Sequence, residues 1–228
     1  MMIEQAVTYL TATLLIYYAA KWLYRKYPKV YLSPLLITPA VLVVVLLATH
    51  ASYSDYNAGG EWLSKLLQPA TVAFAVPLYK NLQTLKKHAG EIIASVLFGS
   101  LTAILSSAVL ARLMHLDSEL ASSLVPRSVT TPIAMNVSQM IGGVPTITAV
   151  FVIITGLLGA MIGPSVVKLL RIEGDIAKGV LFGTSAHGTG TSKAFELNPL
   201  TGTISSISMI LAALFTLLAA PALLSLLG

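Results

Sequence analysis

The chain has 228 residues, of which 56% are hydrophobic and only 10% charged, with a mean hydropathy of +0.83. A soluble domain carries about 25% charged residues, so this chain cannot clothe itself in a wetted surface, and a separable soluble domain is excluded. The net charge of +5 sits in short loops beside apolar runs, which orients a membrane protein rather than gripping nucleic acid, and the lack of cysteine removes thiol chemistry, disulfides and cysteine-ligated metal.

The start, Met1-Met2-Ile3-Glu4, has no basic region or small-residue cleavage site, so the first apolar segment is expected to be retained. Segment one covers residues 5–22 and ends among Tyr17, Tyr18, Trp22, Tyr24 and Tyr27, an interfacial aromatic belt. Lys21, Arg25, Lys26 and Lys29 mark the loop after it as cytoplasmic. Segment two covers 33–49. The loop at 51–61 holds Asp55 and Glu61 without a basic residue and is expected outside. Segment three, 62–79, contains Pro69 and Pro77, each of which removes a backbone bond and breaks or kinks a helix. Lys80, Lys86 and Lys87 return the chain to the cytoplasm, and segment four, 90–113, leads to His115, Asp117 and Glu119 outside.

Between segments four and five, Pro126 and Pro132 bracket Arg127, Ser128, Thr130 and Thr131. The stretch is too interrupted for an ordinary span and is expected to form a re-entrant hairpin entering from outside. Segment five covers 146–170 and carries Gly156, Gly159 and Gly163; the last two form a G-x-x-x-G pair that allows close backbone approach. Lys168, Arg171 and Lys178 make the third cytoplasmic loop. Segment six, 176–195, holds the glycine- and hydroxyl-rich run from Gly183 to Lys193, with His187, Gly188, Thr189, Gly190 and Thr191 inside it. Segment seven covers 203–226. The pattern predicts an all-α polytopic membrane protein with seven crossings plus the hairpin, an external N-terminus and a cytoplasmic C-terminus.

A shift of 113 positions lays Thr71 on Thr184, Ala73 on Ala186, Pro77 on Gly190 and Lys80 on Lys193. The two copies run in opposite directions, so the expected organisation is one membrane domain with inverted repeats. Residues 1–29 form the N-terminal helix and loop, 30–115 the first repeat, 116–145 the hairpin and 146–228 the second repeat. Inverted repeats with interrupted helices are an architecture of secondary transporters, which bind substrate near the midplane. The expected breaks are Pro69, Pro77, Pro126, Pro132, Gly188 and Gly190.

Within membrane-buried backbone, polar groups survive only where protein or water meets them. Arg127 offers a fork of donors for a carboxylate, with Ser128, Thr130 and Thr131 beside it. The alternative is an arginine at the membrane surface against a lipid phosphate. His187 titrates near neutral pH and is a candidate proton relay; equally it fits a neutral imidazole bonded to a backbone carbonyl across a helix contact. Thr71, Thr189 and Thr191 complete the expected binding set, and Thr184, Ser185 and Ser192 are candidates to line the same polar cavity. No second His or carboxylate stands at ligand spacing near His187, and no G-x-S-x-G, H-E-x-x-H or phosphate-loop motif occurs. Neither a metal, a cofactor nor an enzymatic activity is expected.

Three ordered motifs, the stretch from Gln68 to Lys80, that from Pro126 to Met135, and Ala186-His187-Gly188-Thr189-Gly190-Thr191, resemble the LrgB/CidB family across nearly the whole chain. The family often has Gly at the position of Gln68, Lys at that of Arg127 and Ala-Ile at those of Gly188-Thr189. The resemblance implies a bacterial inner-membrane protein, either a transporter of small monocarboxylates such as glycolate, glycerate or pyruvate, or a holin/antiholin-like modulator of murein hydrolases and autolysis working with a small LrgA/CidA-type partner. The repeat with its polar breaks favours transport, by a homo-oligomer, expected to be a dimer, embedded in lipid.

Overall fold

The computed structural model describes residues 2–66, 69, 72, 75–80 and 82–227. Among them the regular structure is helical, and it divides into two compact units at residue 72.

In the first unit α1 (Met2–Lys26) packs against α3 (Tyr53–Lys65), with α2 (Pro34–Ala48) between them in sequence. The edge-to-face pair Tyr9–Tyr56, with centroids 6.0 Å apart, and Gly59, whose missing Cβ admits the backbone of Ala6 and Leu10, fix that contact. Lys21 lies over the Tyr17 ring and Lys26 over the Trp22 ring, as an interfacial belt would place them. The expected external loop at 51–61 is instead mostly α3. Ser52 and Asp55 form a capping box, each side chain bonding the other's backbone N–H, and that local device starts a helix where composition had suggested a loop.

The second unit begins with the short helices α4 (Ala75–Lys80) and α5 (Leu82–Lys87). Pro77 falls in the first turn of α4, where a missing N–H costs little; it does not break a helix. Pro69 lies in a stretch of which only parts are described, and Thr71 and Ala73 lie outside the described residues. Three long helices follow: α6 (Ala89–Leu113), α9 (Pro145–Leu169) and α11 (Pro199–Leu227). Among the described residues these are the helices long and apolar enough to cross a membrane. They match expected segments four, five and seven.

Two hairpins fill the space they frame. The first is α7 (Ser118–Leu124), a turn at 125–130, and α8 (Thr131–Met140). Each arm is tied to the start of α9: the Val144 N–H donates to Ser123 Oγ at 2.8 Å, and Thr148 Oγ1 donates to Ser138 Oγ at 2.6 Å. Within the expected re-entrant stretch at 116–145 the chain forms a helix–turn–helix, with Pro126 after its first arm and Pro132 opening α8 rather than breaking it.

The second hairpin corrects the sequence reading. α10 (Asp175–Leu197) coincides with expected segment six, yet it does not cross. Asn198 Nδ2 donates to Asp175 Oδ1 at 2.9 Å, whereas a straight helix would hold those residues about 34 Å apart. The chain reverses at Ala186 (φ −133°, ψ 17°) and His187 (φ 41°, ψ −130°). The turn is thus one residue before Gly188, and neither Gly188 nor Gly190 makes it. Gly190 instead sits against the Phe182 carbonyl, where a Cβ would collide, so its lack of a side chain lets the returning arm lie on the outgoing one.

The two hairpins enter from opposite ends. Ile92 and Val96 of α6 share a cluster with Ile204 and Ile207 of α11, with Ile176 of α10 against it; Ile104 and Ala108 share one with Val125, Val137 and Ala220. The α10 hairpin therefore rises from the α6 N-terminal end and the α7–α8 hairpin descends from the other. Their turns meet midway along α6.

Candidate functional site

Between the two turns lies an open cavity of ≈ 490 Å³. Arg127 and Ser128 from the first hairpin and Thr184 and Ser185 from the second line it, facing Ser95, Gly99, Thr102 and Ser106 of α6 and Thr155 of α9. A second cavity of ≈ 510 Å³, lined by Glu91, Asp175 and Leu200, shares Ser95, Ala177 and Val180 with it. The pair forms a path toward the end that carries Lys86, Lys87, Lys168, Arg171 and Lys178.

Arg127 is placed by the turn at 125–130, whose backbone closes through the Arg127 N–H to Leu124 carbonyl bond at 3.2 Å. Its Nη1 donates to Ser107 Oγ, and Ser107 passes its own proton to the Ala103 carbonyl at 2.6 Å. One end of the guanidinium is thereby fixed while the residue lines the cavity. Among the described residues no carboxylate pairs with it. An uncompensated cation at membrane depth is costly, and a cavity beside it invites an anion.

The hydroxyls around the turns fall into two kinds. Thr102, Ser106 and Ser185 donate to carbonyls three or four residues back in their own helices, the ordinary outcome for such residues. Ser100, Thr130 and Thr184 do not: their oxygens are buried without a partner. A buried polar group left unpaired costs about 1–3 kcal/mol, so three around one meeting point argue for a ligand there. The positive ends of two half-helices, α8 from Thr131 and the second arm of α10 from residue 188, follow directly on the two turns. Their first-turn N–H groups have no partner within the helix and favour negative charge.

His187 stands behind the cavity, not in it. Its Nε2 is 2.9 Å from the Val152 carbonyl, so the imidazole donates to that carbonyl across a helix contact. Gly156 makes the room, since a Cβ there would come within 2.7 Å of the ring. The backbone of His187 lies in a region that L-residues rarely occupy, and the carbonyl bond and the surrounding packing hold it there. Thr189 also faces Gly156, and Thr191 bonds Ser205 Oγ at 2.9 Å, joining α10 to α11. Thr131 begins α8 and is not among the lining residues. Of the expected binding set, then, Arg127 and Ser128 line the cavity, Thr130 is buried next to it, and His187, Thr189 and Thr191 hold the hairpin in place.

The sequence matches the LrgB-like family over residues 13–226. This chain belongs to the LrgB-like family. Over 93% of its length it is 62% identical to the uncharacterized protein YwbG of Bacillus subtilis (strain 168), of which it covers 95%. It is 36% identical over 96% of both chains to the holin-like protein CidB of Staphylococcus aureus (strain N315). No solved structure matches the chain. As a member of the LrgB-like family it is a membrane protein.

In this LrgB-like chain, sequence reasoning passed over the wall supplied by α6 and α9. Ser95, Gly99, Thr102 and Ser106 are spaced four, three and four residues apart, which puts them on one helical face. That small polar stripe on an otherwise apolar span was the available signal. The glycines of α9 were noticed, but their partner lies within the chain: Gly159 admits Ala186, and Gly163 admits the Phe182 ring.

Proposed function

We propose that this protein carries small monocarboxylates across the bacterial inner membrane, binding them between the two hairpin turns. The observation that supports this most directly is Arg127, lining the cavity beside unpaired hydroxyls and, among the described residues, without a carboxylate partner. The Arg127 fork takes the carboxylate, and the hydroxyls of Ser128, Thr130 and Thr184 take the remaining oxygens. The path past Ser95 and Ala177 connects the site to one face, while the closely packed first hairpin shuts the other. Substrate passage then requires the hairpins to separate on that second side, as alternating access between opposed elements does.

The test is flux. Purified protein in sealed vesicles, without any partner, is expected to move labelled glycolate or pyruvate down an imposed gradient. It should do so saturably and well above vesicles carrying an unrelated membrane protein. The name of the CidB relatives, holin-like protein, supports a second reading, a modulator of cell-wall lysis acting through a small membrane partner. Vesicles silent alone and active only with an LrgA-like chain would assign the protein to a two-component system. Silence in both settings would favour the lysis reading.

The hairpin also changes the expected orientation. If the lysine-rich end of the second unit is cytoplasmic, α10 returns to that side and α11 alone carries the C-terminus across. We therefore expect the C-terminus outside, not inside as a crossing by segment six would have it. The chain has no cysteine, so one appended at the C-terminus gives a clean readout. It should react with an impermeant maleimide in intact cells; protection until the cells are broken would overturn this orientation.

A further inference from the structure

We infer that the site favours monocarboxylates with an apolar tail over two- and three-carbon acids, and rejects acids with a second carboxylate. This preference rests on the carboxylate reading above and concerns the other end of the substrate. The cavity holds ≈ 490 Å³, within the range of about 300–1,000 Å³ that suits drug-sized ligands. A three-carbon acid gripped by Arg127 leaves most of that space unfilled.

The helices set the length of the space. Ser106 and Ser95, both on its wall, stand eleven residues apart on α6, about 16 Å along the axis. Arg127 is at one end of that span, bonded to Ser107. Thr184 comes next, so close to α6 that a Cβ at Gly99 would lie 3.0 Å from its methyl. One turn nearer the mouth, Val180 packs on the cluster of Ile92 and Val96. The lining therefore runs from a charged end at the hairpin turns to an open end along the first arm of α10.

Along that run the wall offers a ligand few donors. Ala103, Ala177, Val180 and Leu181 are apolar, and Thr102, Ser106 and Ser185 give their protons to carbonyls of their own helices. The unpaired hydroxyls of Ser100, Thr130 and Thr184 are gathered where the turns meet. A tail lying over Val180 and Leu181 leaves water, and each methylene buried there strengthens binding. An alkyl chain lengthens by about 1.3 Å per carbon, given a C–C bond of about 1.5 Å, so a tail reaching Val180 belongs to an acid of about five to eight carbons.

The tail must also be uncharged. Among the described residues lining the two cavities, Arg127 alone is basic, and the carboxylate occupies it. Beyond Val180 the wall carries Glu91 and Asp175. A second carboxylate on the tail would lose its water against Val180 and Leu181 and meet like charge past them, with no cation on the wall to pair it.

Competition against labelled pyruvate uptake into vesicles tests this on the unaltered protein, with Tm shifts from the same acids measured alongside. The competitors are unbranched 2-oxo acids from pyruvate to the ten-carbon chain, with 2-oxoglutarate as the five-carbon dianion. The inhibition constant is expected to fall by roughly two- to fourfold per added carbon, as burial of a methylene in a half-open cavity gives. The gain should level off by about eight carbons. The dianion should bind roughly tenfold or more weaker than 2-oxopentanoate, the monoanion of the same length. Leu181→Ser should flatten the slope, whereas a general folding defect would weaken every acid alike and keep it. Uptake of pyruvate with a flat or falling series would overturn the tail preference and leave the carboxylate reading standing. A gain that continues through ten carbons would overturn it too, marking a groove open to lipid. Neither uptake nor a Tm shift with any of the acids would overturn both.

Discussion

Arg127→Ala is expected to cut carboxylate flux by about 30-fold or more while leaving the protein folded. The residue lines the cavity and has no internal counter-charge among the described residues, so the anion it meets is its electrostatic partner. Truncating one member of a desolvated, hydrogen-bonded charge pair costs about 2–5 kcal/mol, or roughly 30-fold to several thousand-fold in affinity. Folding should survive because Ser107, the partner of Nη1, keeps its bond to the Ala103 carbonyl. Arg127→Lys keeps the charge but gives up the fork, and an intermediate loss of about tenfold is expected. The measurement is the initial rate of uptake against substrate concentration for the three proteins, alongside their Tm values. Full flux in Arg127→Ala would remove the guanidinium from the substrate path.

The long spans were legible because length and hydropathy determine them almost alone. Residues 90–113, 146–170 and 203–226 became α6, α9 and α11 with ends displaced by a few residues. The first hairpin was legible too, since two prolines around an arginine cannot make a continuous span. The α10 hairpin was not. Two arms of ten or eleven residues have the same total length and composition as one crossing, and neither measure distinguishes them. The turn itself was disguised as well. A backbone with positive φ points to glycine, and Gly188 and Gly190 stood ready, but His187 takes that conformation instead. What permits this lies on another helix: the space left by Gly156 and the Val152 carbonyl. No window of local sequence contains both.

The same lesson explains the inverted-repeat comparison. It aligned residues 184–193 with 71–80 because both carry small residues and a helix interrupter. In the structure the element that opposes 184–187 across the cavity is the turn at 125–130, which shares with it a cavity wall rather than a residue pattern. Thr71 lies outside the described residues. Opposed hairpins remain, and they are what gives the cavity its two-sided lining.

Gly183→Val is expected to be the most destabilising single change in the second unit. A Cβ at Gly183 would fall on the Ser205 carbonyl and within 3.0 Å of the Ser205 Cα. Those are backbone atoms of α11, which cannot swing aside as a side chain would. One added methyl in a packed interior already costs about 1–3 kcal/mol, and valine brings two more carbons to the same contact. The outgoing arm of α10 would have to lift away from α11, taking Thr184 and Ser185 out of the cavity wall. A fall in Tm of more than about 5 °C is therefore expected together with loss of flux, or failure to recover a monodisperse protein. Gly90→Ala is the control: a Cβ there meets nothing within 4 Å and the residue lies within α6, where alanine is favoured over glycine, so Tm should not fall and flux should not change. A Gly183→Val protein as stable as the control would mean that α10 does not lie against α11, and the hairpin with its cavity would have to be redrawn.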